Sequence, residues 1–97
     1  MRDFDHRRLD EVFHSRIRLA MVAALVPAEE LDFVSLRDLV GATDGNMSTH
    51  TKRLEDAGYV EVRKRFVDRK PSTSYALTEK GRAAFSAYVE ELSKFIR

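Results

Sequence analysis

The sequence predicts a single, mainly α-helical domain with a small β-hairpin, an α+β fold, and three observations carry that expectation. Apolar residues recur at helical spacing through most of the chain, the period drops from 3.6 to 2 between residues 59 and 77, and a capping hydroxyl, glycine or proline stands at nearly every junction. At 97 residues the chain has room for one modest core and one binding surface. Its 43% hydrophobic and 34% charged residues are those of a globular chain and not a disordered one. No repeat, linker or low-complexity tract interrupts it.

Over residues 7–13, Leu9, Val12 and Phe13 predict a short amphipathic helix. His14 and Ser15 then form a junction, and Ser15 can cap a helix over residues 16–26. Ile17, Leu19, Ala20, Met21, Val22, Ala24 and Leu25 make nearly every side of that helix apolar, so it should be central and buried, and Pro27 ends it. Residues 31–34 (LDFV) read as a short extended stretch. Ser35 starts a compact helix with Leu36, Leu39 and Val40 facing inward and Gly41 as its stop. Thr43 caps the next helix, with Asp44 in the first turn where the helix dipole favours an anion; Met47, Thr51, Leu54 and Ala57 share its inner face, and Gly58 ends it. Two helices joined by Gly41 and Ala42 are a helix-turn-helix. Beyond Gly58, Val60 and Val62 point one way and Glu61, Arg63 and Arg65 the other; a breaker-rich tip, VDRKPS, leads to a return strand over residues 73–77. Thr78 caps the last helix, along which Phe85, Tyr88, Val89, Leu92, Phe95 and Ile96 form a stripe.

Several classes of function are excluded on chemical grounds. With no cysteine there is no disulfide or thiolate ligand, and His6, His14 and His50 are scattered, so neither a metal site nor a cofactor is expected. Asp44, Ser48 and His50 crowd one short helix, on which Ser48 and His50, two apart, point in different directions; no phosphate loop or nucleophile elbow accompanies them, and no enzyme is expected. The charged start MRDFDHRRLDE is not a signal segment, and the longest apolar run, LAMVAALV, falls far short of the roughly 20 residues a bilayer requires. A cytoplasmic protein without a membrane partner is expected.

What remains points to a nucleic acid. If Met47, Thr51 and Leu54 face inward, the opposite side of their helix carries Asn46, Ser48, Thr49, Lys52 and Arg53, small and polar first and cationic later. A major groove about 12 Å wide admits such a helix, and Asn or Arg can read base edges for roughly 1–3 kcal/mol per good pair. An ordinary solvated face would also be polar. His50 belongs at the edge of the core or on a phosphate. Residues 63–70 hold five cations, Arg63, Lys64, Arg65, Arg69 and Lys70, against one anion, Asp68, in a chain whose net charge is +1. Such a tip can follow phosphates or place Arg69 in a narrow minor groove. A hairpin charged only against edge pairing is the plainer alternative.

Helix, short strand, helix, turn, helix and basic hairpin follow in that order, and the stretches HSRIRLAMVAAL, LRDLVGATDGNMSTHTKRLEDAGYVEVRK and RKPSTSYALTEKGRAAFSAYVEEL resemble the short MarR-like and ArsR-like winged-helix transcriptional regulators of bacteria and archaea. The resemblance covers roughly residues 9–92 and is most specific in LEDAGYVE, the hairpin and YALTEKGR. It implies a winged helix-turn-helix fold, with the helix-turn-helix at residues 35–58, the wing at 59–77 and dimerisation helices at 1–13 and 78–97. It further implies a homodimeric, repressor-type protein that binds double-stranded DNA and reads a palindromic operator. Asn46, Ser48, Thr49, Lys52 and Arg53 would lie on the recognition helix, Arg69 and Lys70 at the wing tip, with Arg63 and Arg65 along the wing. Thr51 departs from the leucine often found at its position. The terminal stripe exceeds what this core can use, so Leu9, Val12, Phe13, Phe85, Tyr88, Val89, Leu92, Phe95 and Ile96, with Phe4, are candidate dimer contacts. A small-molecule effector at that interface is left open, no constellation identifying one. The rival reading is a winged helix used for protein assembly without sequence-specific DNA binding.

Overall fold

The structure, a computed structural model, describes residues 4–96. Two single-turn 3₁₀ helices, His6–Arg8 and Glu11–Phe13, lead into α1 (Arg16–Leu25), β1 (Leu31–Asp32), α2 (Phe33–Val40), α3 (Asp44–Asp56), β2 (Val60–Val67), β3 (Lys70–Leu77) and α4 (Glu79–Ile96). The strands form one antiparallel sheet in the order β1-β3-β2. Four α-helices and a small sheet in this sequence make the winged-helix plan.

The core is assembled from one face of each helix. Met21, Val22 and Leu25 of α1 meet Leu36 of α2, Met47 and Leu54 of α3, and Val60 and Tyr75 of the sheet. Ser15 caps α1 by accepting the Arg18 N–H. The expectation that α1 is buried on nearly every side is corrected: Ile17, Leu19 and Ala24 are only partly covered and Ala23 is exposed, because α2, α3, β3 and the second 3₁₀ helix, which pack on α1, leave the flank of Ala23 open. In α3, Thr43 Oγ1 accepts the Asn46 N–H at 3.1 Å, and Met47, Thr51 and Leu54 are buried. The unusual Thr51 is accommodated because its hydroxyl donates to the Met47 carbonyl one turn back, at 2.6 Å, so burial leaves no orphaned polar group.

Other expectations are corrected. Residues 7–13 are not an α-helix: Asp5 and Asp10 each accept the N–H two residues on, closing local turns in competition with a continuous helix. Val12 and Phe13 are buried in this chain's own core, which removes both from the surface a dimer partner could touch. Residues 1–3 of the expected N-terminal element lie outside the described residues. α2 starts at Phe33 and not at Ser35, because Asp32 takes the cap and accepts the Ser35 N–H at 2.7 Å. Leu39, expected inside, is 68% exposed. Gly41 ends α2 at φ +73°, and the N–H groups of Gly41 and Ala42 both donate to the Arg37 carbonyl, which makes the tight turn into α3.

The hairpin is longer than the sequence suggests. Pairing runs from Val60 with Leu77 out to Val67 with Lys70, leaving Asp68 and Arg69 as a two-residue turn with φ of 51° and 67°. Positive φ at both positions is the turn whose twist matches paired strands. Pro71 is tolerated inside β3 because the Val67 and Lys70 pair closing the turn exchanges the ladder bonds, so the adjacent Phe66 and Pro71 pair needs none.

At the base of the hairpin, Gly58 turns the chain at φ +80°, and Tyr59 accepts the Thr78 N–H at 3.0 Å on its carbonyl. Thr78 Oγ1 donates to the Gly58 carbonyl and accepts the Gly81 N–H. A Cβ on Gly81 would overlap the Tyr59 carbonyl. Gly81→Ala is therefore expected to destabilise the fold by about 3 kcal/mol, at the upper end of overpacking costs. Urea denaturation followed by circular dichroism measures this, and a variant as stable as the parent would refute the close approach.

Candidate nucleic-acid interface

The buried triplet of Met47, Thr51 and Leu54 sets the rotation of α3, and Asn46, Ser48, Thr49, Lys52 and Arg53 are all exposed. Lys52 reaches Asp56 at 3.3 Å, an exposed pair of the kind worth at most about 1 kcal/mol, which a phosphate can displace. Among the described residues no ion pair holds Arg53. Behind this face lies Arg18, whose Nε donates to the Val12 carbonyl at 2.6 Å and whose Nη1 lies 3.0 Å from His50 Nδ1. A guanidinium has only donors, so Nδ1 must accept and His50 is neutral. Burial, and then the Arg18 charge, hold the His50 pKa below its ordinary value. His50 is thus a half-buried edge-of-core residue.

Strand alternation sorts the wing cations onto two faces. Val62, Lys64, Thr73 and Tyr75 line a cleft of about 330 Å³ whose other wall is Ser48, Thr51, Lys52 and Glu55 of α3. Arg63 and Arg65 point to the opposite face, where Glu30 takes one guanidinium on each oxygen, both at 2.7 Å. Ser74 Oγ donates to the same carboxylate at 2.7 Å, and Arg63 also meets Glu61 at 3.3 Å. Hydrogen bonds from Ser74 and Arg63, with the charge of Arg65, hold Glu30 below the usual carboxylate range. The two arginines placed on the wing by sequence are therefore tied to the loop before β1, on the side away from α3. Arg69 and Lys70 sit exposed at the turn with no ion pair among the described residues. Lys64 was not singled out as a contact, yet it stands across the cleft from Lys52. Its signal was legible, since it keeps step with Val60 and Val62 at period two.

The candidate dimer residues separate as well. Phe85 and Tyr88 pack partly on the core, with the Phe13 ring 5.7 and 5.1 Å from theirs. Leu9 is half-buried, and Phe95 meets Phe4 at 5.2 Å. Val89, Leu92, Phe95 and Ile96 remain exposed along α4. Among the described residues no cluster of ligands could hold a metal, and no helix is long and apolar enough to cross a membrane.

Residues 17–96 match the model of the winged helix DNA-binding domain family. An uncharacterised protein of Methanocaldococcus jannaschii is 35% identical over 82 residues, covering 84% of this chain and 89% of that one. The solved transcriptional regulator homologue from Pyrococcus horikoshii superposes with a TM-score of 0.83 at 25% identity, over 90% of this chain and 86% of that one. A MarR family transcriptional regulator from Silicibacter pomeroyi shares the fold at a TM-score of 0.70 and 21% identity, over 88% of this chain and 56% of that one.

The state of His50 gives a pH dependence. A base whose folded pKa is depressed contributes stability that is complete above its ordinary value of 6.5 and is lost as pH falls from there through the folded value. Urea midpoints measured between about pH 7.5 and 5 should fall in the wild type and fall less in His50→Gln, which keeps an acceptor for Arg18. Parallel curves would place the sensitivity elsewhere.

Proposed function

Because the chain belongs to the winged helix DNA-binding domain family, we propose that it is a transcriptional regulator of MarR-like type that reads a palindromic operator as a homodimer and represses by occupying it. The family is one of DNA-binding domains and not of catalysts. The observation that carries the proposal is the rotation of α3, which turns Asn46, Ser48, Thr49, Lys52 and Arg53 outward beside the wing's Lys64. In this reading α3 enters the major groove. The small residues Gly45, Ser48 and Thr49 let its backbone approach, Asn46 and Arg53 reach base edges, and Lys52 meets a phosphate. Lys64, Arg69 and Lys70 continue the positive surface onto the flanking backbone, where they displace condensed counterions.

One such module contacts few base pairs. Two related by a dyad present two recognition helices to half-sites about one helical turn apart, which supports a dimer as the functional unit. The surface available for it is the stripe of Val89, Leu92, Phe95 and Ile96 on α4, apolar and self-complementary under two-fold symmetry.

Selection from random duplex DNA tests the reading directly, and recovery of a short palindrome is expected; no enrichment would sink it. On the recovered duplex, Lys64→Ala, Arg69→Ala and Lys70→Ala should each flatten the dependence of log K on log salt by about 0.9, whereas Arg63→Ala, already neutralised by Glu30, should change it less. Asn46→Ala should relax base preference while leaving the slope alone. Replacing Leu92 and Ile96 together with Glu should give a folded monomer in sedimentation and weaken operator binding at least tenfold, as expected when paired half-sites are read separately.

A further inference from the structure

The wing tip carries a feature that phosphate contact does not account for. Phe66 is 76% exposed and Val67 51% exposed, on a hairpin end otherwise made of Lys64, Arg65, Asp68, Arg69, Lys70 and Pro71. A hairpin whose only task is to lie along phosphates needs cations and polar residues there. Among the described residues no aromatic ring contacts Phe66, and β1 reaches only as far as Ser74 and Tyr75, so no third strand lies alongside the tip. Single exposed apolar residues are common. Phe66 differs in its placing: it pairs with Pro71 on the ribbon face that also carries Val62 and Lys64, the face that meets α3 across the cleft.

Its reach is on the scale of the spacing between grooves. Phe66 lies four residues beyond Val62, about 13 Å along the strand. In B-form DNA the centres of neighbouring major and minor grooves are about 17 Å apart along the axis, half the ~34 Å repeat. With α3 in the major groove, a tip that projects about 13 Å beyond the cleft comes within reach of the minor groove next to it.

Resting on the function proposed above, we propose that Phe66, braced by Pro71, is an apolar wedge that enters this flanking minor groove and partly unstacks one base step, so that the protein bends its operator. The cations around it supply attraction to the two phosphate rims, and the ring supplies what cations cannot, a surface to fill the opened step. Flexible pyrimidine–purine steps, TA and CA/TG, open most easily and should be preferred at that position although no hydrogen bond reads them.

The test uses the full chain and the duplex it selects, with 2-aminopurine placed in turn at each step flanking the site read by α3 and with dyes at the duplex ends. The wild type should raise the fluorescence of one flanking step per half-site and shorten the end-to-end distance. Phe66→Ala should abolish both and weaken binding about tenfold, the scale of a lost aromatic–base contact, with an unchanged salt slope. Phe66→Leu should retain part of each effect. Because Phe66 is exposed, neither substitution removes a core contact, and thermal melts should match the parent. Equal fluorescence, bending and affinity in the wild type and Phe66→Ala would overturn the wedge while leaving the functional reading intact. A change in sedimentation with DNA binding untouched would overturn it too, by assigning Phe66 to a protein contact. A wild type that selects no duplex would overturn the functional reading and the wedge with it.

Discussion

The backbone of Tyr59 is where α3, the wing and the last helix are fastened to one another. Its carbonyl accepts the Thr78 N–H, and Gly81 lies so close that a methyl group would not fit between them. Its ring stacks on Phe13 at 5.5 Å, the Lys80 ammonium lies 5.9 Å from the ring centre, and its hydroxyl donates to Asp10. That bond to a carboxylate raises the phenol pKa to about 12. The exit of α3, the base of the hairpin and the start of α4 are therefore joined at one residue. In the proposed complex, a helix and a wing meeting two grooves of a stiff duplex would depend on this relation, because a shift at the base is carried to the tip.

Above that junction, charge is sorted by geometry and not by composition. A net charge of +1 conceals a local excess of +4 over residues 63–70. Five cations on one hairpin repel one another, and Glu30 relieves this by holding Arg63 and Arg65 on one face. Among the described residues, no ion pair holds Lys64 on the α3 side or Arg69 and Lys70 at the end. The wing is thereby stiffened by two of its arginines while its exposed charge is concentrated where a polyanion would lie. On α2, Arg37 bridges to Asp44 at 2.9 Å, placing an ion pair across the helix-turn-helix turn.

The parts of this fold that were legible in the sequence are those where one local signal had no competitor. Met47, Thr51 and Leu54 share one period, Thr43 is the one capping residue before them, and Gly58 the one stop, so α3 and its outward face follow directly. Where two signals compete, the structure chooses by contacts the sequence does not display. Asp32 and Ser35 can both cap α2, and the earlier one prevails because Leu31 is already held in the sheet opposite Tyr75. Pro71 looks like a strand breaker, yet it falls in a pair that needs no N–H. Leu39 has helical spacing for burial, but no neighbouring element covers its flank. The pairing of Arg63 and Arg65 with Glu30 spans more than thirty positions and has no local signature at all.

The same reasoning decides which part of the terminal stripe can serve a second chain. Glu91 is only 4% exposed, a buried carboxylate in the middle of α4, and it is satisfied from within the molecule: it accepts the Asp5 N–H at 3.0 Å and pairs with Arg8 and Lys94, each at 3.5 Å. A buried charge is tolerated only when its partners stay in place, so the N-terminal segment is fastened along one side of α4. With Phe13 against Tyr88 and Phe4 against Phe95, that side of the helix is occupied. Val89, Leu92 and Ile96, spaced three and four residues apart, lie on the side that nothing among the described residues covers fully. A second copy would therefore have to dock on α4 itself, and the N-terminal turns would act in cis, holding that helix at the angle from which two recognition helices could be presented together.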